Sequence, residues 1–340
     1  MSTSRVLGTF SWALTIGAVA AAVARADSIA ELRSSRVIEL RAEDPAYEKV
    51  PVVSSVALDP TSNLLATAGD DHVVRIWDAR QGRIVRRLKA HTDWVQAVVF
   101  SPDGKVLATA GRDRQIKLWQ VATGQLLRSL SPSVRGISEL AFSSDGRMLA
   151  AAGFESKVWV YDAASGRLLR LWDAPGQDTR ALVFSPDGTQ LAAAGRSGLI
   201  RIWKTSTGSR VGDLAGHRRR VRALAYSPDG KRLASAGEEQ SIRLWDVSTA
   251  AALAVLPARP GRVLSLVFCG SQRLAAGGSD DLIRIWDLPT RSEQLHLVGH
   301  TGSVSALVWD SQAKVLISGS FDTTVRLWPL RSNIEVISRR

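Results

Sequence analysis

The sequence predicts an all-β protein, a seven-bladed β-propeller whose blades are four-stranded antiparallel sheets. Three observations lead to this fold: aromatic residues recur at a nearly constant spacing, each ends a β-branched or aliphatic run, and Asp-Gly turns join further apolar runs. The recurring aromatic residues are 42, 42, 42, 42, 41 and 42 positions apart: Trp77, Trp119, Tyr161, Trp203, Trp245, Trp286 and Trp328.

Each unit contains four short apolar runs in a fixed order. The first two flank an Asp-Gly pair, as in the run VVFSPDGKVLATAG that starts at Val98, and the glycine supplies the positive φ that tight turns require. The third run ends at the aromatic residue, as in QIKLW at Trp119. A second turn, with Gly124 in this unit, leads to a more polar fourth run, QLLRSL. Four strands in about 42 residues match the length of a propeller blade.

The chain is expected to have three parts: a signal peptide over residues 1–26, an N-terminal segment with a possible strand over residues 27–50, and the propeller over residues 51–340. The first carries an arginine, then an uncharged stretch over residues 6–23, and then Ala24-Arg25-Ala26, which resembles a signal-peptidase site. We expect a signal peptide cleaved after Ala26, a periplasmic or secreted protein, and no membrane insertion afterwards. The alternative is an uncleaved N-terminal membrane anchor, because the stretch reaches the lower length limit of a spanning helix.

The composition is that of a folded protein, and its positive net charge favours an anionic over a cationic electrostatic partner. Hydrophobic residues make up 45% and charged residues 22% of the 340 residues, and 44 Lys and Arg face 32 Asp and Glu, for a formal net charge of +12. Cys269 is the only cysteine, which excludes an intramolecular disulfide, a cysteine-based zinc site and a haem attachment motif. It follows the end of a first strand, where we expect a half-buried and inert thiol.

The units resemble WD repeats. The Trp-Asp dipeptide occurs at Trp77, Trp245 and Trp286, and the units cover about 85% of the chain. In that family a buried hydrogen-bonded set joins a His, a Ser or Thr, an acidic residue and the Trp. The resemblance places such sets in blades 2, 5 and 7, at His91, Thr109, Asp113 and Trp119; at His217, Ser235, Glu239 and Trp245; and at His300, Ser318, Asp322 and Trp328.

The other blades lack part of this set. Blades 3, 4 and 6 have no His and carry Ala151, Ala193 and Ala276 at the hydroxyl position, while blade 1 has Thr67 but no His. Losing the His and the hydroxyl together is physically consistent, because a buried hydroxyl without a partner costs free energy. We therefore expect blades 2, 5 and 7 to be the stiffest.

Two segments compete for the outer strand of blade 7. Residues 37–40 (VIEL) precede blade 1 and would act as the latch typical of the family, whereas residues 334–337 (IEVI) follow Trp328 at the regular spacing. The last sheet needs one of them, because an open edge strand promotes aggregation.

No motif in the sequence indicates catalysis, a metal or a cofactor. There is no H-E-x-x-H and no phosphate-binding G-x-x-x-x-G-K-[ST] loop, and the acidic pairs at Asp70 and Asp280 lack the ligand spacing of a calcium loop. His91 with Asp113 resembles part of a catalytic triad, but Thr109 would lie inside a sheet, out of reach of a substrate. We predict no catalytic, metal-binding or cofactor-binding residues.

The repeat alignment places one set of side chains on the rim formed by the loops before the first strands and between the second and third strands. Arginine and aromatic residues are enriched among binding hot spots, and guanidinium suits carboxylate or phosphate. We expect the following rim residues to be exposed and to bind a partner: Trp94, Phe154, Arg180, Arg196, Arg220, Arg222, Arg262 and Phe321.

Resemblance to WD repeats implies a non-enzymatic protein-interaction scaffold, here a monomeric exported ring that binds an acidic protein segment. Export disfavours a nucleic-acid partner. Two alternatives stay open: an envelope enzyme or carbohydrate-binding propeller, and an envelope assembly factor similar to TolB-like propellers, whose repeats also contain F-S-P-D-G.

Overall fold

The computed structural model describes residues 29–34, 36–40, 50–131, 133, 135–258 and 260–330, and this part of the chain consists of strands, turns and loops. It forms the seven-bladed propeller of four-stranded antiparallel blades that the sequence predicts. The first three blades are β3 (Val53–Leu58), β4 (Leu64–Gly69), β5 (Val73–Asp78) and β6 (Arg83–Lys89); β7 (Val95–Phe100), β8 (Val106–Gly111), β9 (Ile116–Gln120) and β10 (Leu126–Leu130); and β11 (Ile137–Phe142), β12 (Met148–Gly153), β13 (Lys157–Asp162) and β14 (Leu168–Asp173).

The remaining blades repeat this order around the ring. They are β15 (Thr179–Phe184), β16 (Gln190–Gly195), β17 (Ile200–Lys204) and β18 (Arg210–Leu214); β19 (Val221–Tyr226), β20 (Arg232–Gly237), β21 (Ser241–Asp246) and β22 (Ala252–Pro257); β23 (Val263–Phe268), β24 (Arg273–Gly278), β25 (Ile283–Asp287) and β26 (Ser292–Leu297); and β27 (Val304–Asp310), β28 (Val315–Ser320) and β29 (Thr324–Pro329). Blade 7 therefore takes its fourth strand from elsewhere in the chain.

The N-terminal segment supplies that strand. β2 (Arg36–Glu39) pairs antiparallel with β29, so that Ile38 lies opposite Val325. Of the two candidate segments, the N-terminal one holds this position, with its strand at residues 36–39 instead of 37–40, and residues 334–337 lie outside the described residues. Arg36 also reaches blade 1, where its guanidinium donates to the carbonyl oxygen of Arg80.

A further short strand, β1 (Ala30–Leu32), was not predicted from the sequence. It pairs in parallel with β26, with Glu31 opposite His296, and so adds a fifth strand to blade 6. Residues 30–39 thus contact blades 6 and 7, and Arg36 extends the contact to blade 1. The N-terminal segment fastens three consecutive blades at the point where the ring closes.

The turns between the first and second strands of blades 2 to 5 share one hydrogen-bonding pattern. In blade 2, Gly104 has a φ of 69° and its N–H donates to the carbonyl oxygen of Ser101, as in a type I turn with Pro at its second position. Ser101 Oγ donates to Asp103 Oδ1 at 2.6 Å, and this bond lowers the pKa of that carboxyl. The same turn recurs at Gly146, Gly188 and Gly230.

The hydrophobic core lies between neighbouring blades. Second strands contribute buried alanines such as Ala108 and Ala234, whereas third strands contribute large side chains such as Trp119 and Trp286. Small residues near the axis and large ones farther out fit wedge-shaped blades around a common centre.

Serine hydroxyls join the innermost strands of adjacent blades. Ser54 Oγ donates to the carbonyl oxygen of Val95, and Ser138 Oγ donates to that of Thr179 at 2.7 Å. These pairs are 41 residues apart, so each bond crosses from one blade to the next. The bridges compensate for the missing backbone pairing between blades.

Candidate functional site

The predicted hydrogen-bonded set is present in blade 2. Trp119 Nε1 donates to Thr109 Oγ1 at 3.0 Å, Thr109 Oγ1 lies 2.8 Å from His91 Nε2, and His91 Nδ1 lies 2.9 Å from Asp113 Oδ1. Since Thr109 Oγ1 accepts from the indole, its own proton goes to His91 Nε2, and His91 Nδ1–H donates to the carboxylate. In this set of four side chains, each ring nitrogen, hydroxyl and carboxylate oxygen has a hydrogen-bond partner.

Blades 5 and 7 have the same arrangement. Their Trp Nε1 atoms each donate to a serine Oγ at 2.8 Å, and the serine Oγ atoms lie 2.6 and 2.7 Å from His Nε2. The third link joins His Nδ1 to Glu239 in blade 5 and, at 2.8 Å, to Asp322 in blade 7.

The pKa shifts of the acidic residues and of one histidine agree with these hydrogen bonds. Burial raises the pKa of Asp113 and of Asp322, but hydrogen bonds from His91 and His300, together with backbone hydrogen bonds and the charge of the histidines, outweigh it and leave both pKa values below their ordinary value. Burial lowers the pKa of His217, which Glu239 only partly opposes, so the imidazole is neutral. Because Thr109, Ser235 and Ser318 are fully buried, no substrate can reach these hydroxyls, and the sets are structural.

Blades 1 and 6 use a different partner for the acidic residue. Asp71 pairs with Arg75 at 2.6 Å, and Asp280 accepts two hydrogen bonds from the Arg284 guanidinium. In blade 1, Trp77 Nε1 still donates to Thr67 Oγ1 at 2.9 Å. In blade 6, where Ala276 replaces the hydroxyl, the buried Nε1 of Trp286 has no hydrogen-bond acceptor among the described residues. That blades 2, 5 and 7 are the stiffest stays a prediction.

The predicted rim residues of blades 2, 3 and 4 form a continuous run. Arg112 lies over the Trp94 ring, with Cζ 4.5 Å from the centroid, and Arg180 lies over the Phe154 ring at 4.4 Å. Gly136 connects the two stacks, because a Cβ there would lie 3.0 Å from Arg112 Cα and 3.1 Å from the Phe154 ring.

Alternating charges continue the run into blade 5. Arg180 pairs with Asp178, Asp178 accepts from Arg220 at 2.9 Å, and Glu238 contacts both Arg220, at 3.4 Å, and Arg222, at 2.6 Å. These contacts outweigh burial and lower the pKa of Glu238, with a contribution from the charge of Arg262 in blade 6. Arginines of three blades are therefore neighbours, as the repeat alignment predicts.

The expectation that all these arginines are exposed is wrong. The side chains of Arg180, Arg220 and Arg222 are only 20%, 24% and 27% exposed. Each pairs with a carboxylate, and Arg180 and Arg220 also contact a neighbouring blade, Arg180 through the Phe154 ring and Arg220 through Asp178. Arg196 and Arg262 are exposed, as is Phe321, at 45%, on blade 7. On blades 4 to 6, the exposed positive charge among the described residues of this rim thus comes from Arg196 and Arg262, joined by Arg218 and Arg219 in the loop before β19. On blade 2, Arg112 is exposed as well.

The sequence analysis missed two residues at this end of the ring. Arg112 precedes the acidic residue of blade 2 at the same repeat position as Phe154, so the repeat alignment could have found it. Glu139 lies on β11 at a position that is Ala or Ser in the other blades. It lines the central channel, where burial raises its pKa to about 8 against the opposing charge of Arg180.

Other sequence predictions can be placed as well. Cys269 is buried rather than half-buried, and burial raises the pKa of its thiol to about 12, as expected for an inert thiol. The described residues contain no group of His, Cys, Asp and Glu side chains that could hold a metal ion. The described part of the chain has no helix able to cross a membrane, and residues 1–26 lie outside it.

Seven segments of the chain match the family described as WD domain, G-beta repeat. They are residues 46–78, 82–120, 124–162, 166–204, 208–246, 252–287 and 291–329. The chain belongs to the WD-repeat family. Each matched segment from the second onward starts at or just before the outer strand of one blade and ends with the third strand of the next. Because of this offset, each of the first six blades takes its outer strand from the next matched segment. The last matched segment ends with the third strand of blade 7, whose outer strand is β2, which precedes the first matched segment.

Curated relatives of this WD-repeat protein match it over short stretches. It is 40% identical over 45 residues to the DENN domain and WD repeat-containing protein SCD1 of Arabidopsis thaliana, which covers 13% of the chain and 4% of that protein. It is 34% identical over 82 residues to Mitochondrial division protein 1 of Kluyveromyces lactis, covering 24% of the chain and 11% of that protein. WD-repeat propellers are generally non-enzymatic and commonly serve as protein-interaction scaffolds.

Proposed function

We propose that this WD-repeat protein is an exported, monomeric, non-enzymatic scaffold whose rim binds an acidic segment of a protein partner. The observation that carries the proposal is the run of stacked and paired arginines from Trp94 to Arg262 around one end of the ring. Export is proposed from residues 1–26, whose uncharged stretch and Ala-Arg-Ala sequence are typical of a signal peptide.

The paired and the exposed arginines have different roles in this proposal. Arg180, Arg220 and Arg222 are held in place by Asp178 and Glu238, so they shape the channel mouth. Four exposed arginines in the loops of blades 4 to 6 form no ion pair with a described residue, and in this proposal they meet the carboxylates of the partner: Arg196, Arg218, Arg219 and Arg262. Trp94, Phe154 and Phe321 supply apolar contacts around them.

Crosslinking tests the proposal in the native envelope. The protein is crosslinked in intact cells, purified, and its adducts are identified by mass spectrometry. We expect one or a few protein partners with acidic segments, crosslinked through the rim loops. Recovery of the protein without a stable protein partner, together with turnover of a small molecule, would contradict the scaffold function.

The processing of the N-terminus is tested separately. N-terminal sequencing of the protein from the envelope fraction should begin at Asp27. A soluble cytoplasmic protein with an intact Met1 would contradict export, whereas an intact N-terminus in the membrane fraction would indicate the anchored alternative.

A further inference from the structure

The central channel contains a cavity of about 210 Å³ that is lined by the innermost strands of all seven blades. Its polar lining comes from serines of blades 1, 6 and 7, from Gln96 of blade 2, and from three charged residues: Glu139, Arg180 and Arg222. The remaining lining residues are uncharged. A polar cavity of this kind favours a hydrophilic occupant over an apolar one.

The arginines in and beside the channel lining carry positive charge that the carboxylates paired with them do not balance. Arg180, Arg220 and Arg222 are three positive groups, and Asp178 and Glu238 are the two carboxylates that pair with them. Burial together with the charges of Arg222 and Arg220 lowers the pKa of Arg180 despite its pairing with Asp178. An anion between these guanidiniums would relieve the repulsion.

Glu139 is the second unusual group in the channel. Its carboxyl makes no hydrogen bond with any described residue, although the channel wall surrounds it. The charged groups that face it are Arg180 and Arg222, and the other strands that line the channel present serines, Gln96 and aliphatic residues. Burial raises its pKa to about 8, so at neutral pH the carboxyl is protonated and can donate a hydrogen bond.

We propose that this cavity binds a small hydroxycarboxylate. The carboxylate of the ligand lies between Arg180 and Arg222, and Glu139 donates a hydrogen bond to it. The channel serines and Gln96 contact its hydroxyl groups. A single negative charge balances the excess of one positive charge. The volume equals that of about seven water molecules at about 30 Å³ each, which suits a molecule of the size of glycerate.

Isothermal titration calorimetry with the full chain tests this site without any protein partner. The probes are glycerate and glycerol, which differ in the carboxylate. We expect heat of binding with glycerate at pH 6.5, none with glycerol, and much weaker binding of inorganic sulfate, a dianion at this pH whose second charge the site does not balance. Binding of glycerol or sulfate as tight as that of glycerate would overturn the proposal.

Three variants locate the site. Arg222→Gln should weaken glycerate binding about ten-fold or more, whereas Arg147→Gln, which alters an arginine that is 85% exposed and outside the channel lining, should leave the affinity unchanged. Equal losses in the two variants would contradict a site in the channel. Glu139→Gln tests the same site if Arg222→Gln does not fold. The wild-type affinity should fall between pH 6.5 and pH 9 as Glu139 ionises, and the affinity of Glu139→Gln should not; a parallel fall in both would overturn the role of Glu139.

Discussion

Ser305 Oγ donates a hydrogen bond of 2.5 Å to the carbonyl oxygen of Val53, a residue 252 positions earlier in the chain. This bond joins blade 7 to blade 1 and repeats the serine bridges at Ser54 and Ser138. Together with β2 on β29, it connects the two ends of the ring. Ring closure therefore rests on an N-terminal strand outside the repeats and on a hydroxyl at the channel wall.

Replacing this hydroxyl should weaken ring closure. Ser305→Ala removes the donor to Val53 and should lower the free energy of unfolding by about 1 kcal/mol. Ser303→Ala, in the loop just before β27, serves as the control, since it should change stability by no more than a few tenths of a kcal/mol. Urea denaturation measures both, and equal midpoints would contradict a role for Ser305 in closure.

The buried set of blade 2 should contribute more than the corresponding position of blade 4. Asp113→Ala leaves His91 Nδ1–H without its acceptor in a buried site, which should cost about 1 to 3 kcal/mol. Ser197→Ala removes only a local bond to the exposed N–H of Leu199 and should have little effect. Equal denaturation midpoints for the two variants would show that the set does not stabilise its blade.

Blade 6 offers the reverse experiment, a gain of stability. Ala276→Ser places a hydroxyl ten residues before Trp286, the separation found in the bonded pairs of blades 1, 2, 5 and 7. The unpaired Nε1 of Trp286 then gains an acceptor, and we expect a rise of about 1 kcal/mol in the free energy of unfolding.

Ala275→Ser is the matched control for that substitution. Ala275 is equally buried, but it points to the opposite face of β24, among apolar side chains. Its hydroxyl would lack the indole partner, so the variant should lose stability. A loss in both variants, measured by thermal unfolding, would contradict the proposed bond.

Glu139 should make stability depend on pH. Its pKa is about 8 in the folded chain and near the ordinary value of 4.5 when unfolded. Between about pH 5 and pH 8 the unfolded state has released a proton that the folded state keeps, so this group lowers stability as the pH rises. In Glu139→Gln this contribution is absent. The denaturation midpoint of the variant relative to wild type should therefore rise from pH 5 to pH 8, and a constant difference would contradict a buried, protonated Glu139.

Much of the fold could be predicted from the sequence because the same residue pattern occurs seven times. The Asp-Gly turns, the recurring Trp residues and the His91 set all follow from spacing and residue type. The strand at residues 30–32 could not be predicted in this way, because three residues are too short to show an alternating pattern. The same holds for the serine bridges, which require knowing which innermost strands become neighbours in the ring.

The sequence predicts which residues lie on the rim, but not how exposed their side chains are or which carboxylates they pair with. Alignment of the repeats brings Arg180, Arg220 and Arg222 to one end of the ring, where the structure has them. Their pairing with Asp178 and Glu238 depends on side-chain directions across blade boundaries, which a linear pattern does not contain. As a result, reversing the charge of these three arginines would place new carboxylates beside buried ones and disturb the fold.

The exposed arginines therefore provide the most direct test of partner binding. Arg196→Glu combined with Arg262→Glu reverses two exposed charges on the rim. Lys105→Glu combined with Arg147→Glu makes the same change in charge on the opposite face of the ring, where the two side chains are 81% and 85% exposed. Capture of the crosslinked partner from the native envelope is then compared quantitatively for wild type and both double variants. Loss of capture in the Arg196 and Arg262 variant alone is the predicted result, and equal capture by both variants would contradict the rim as the binding site.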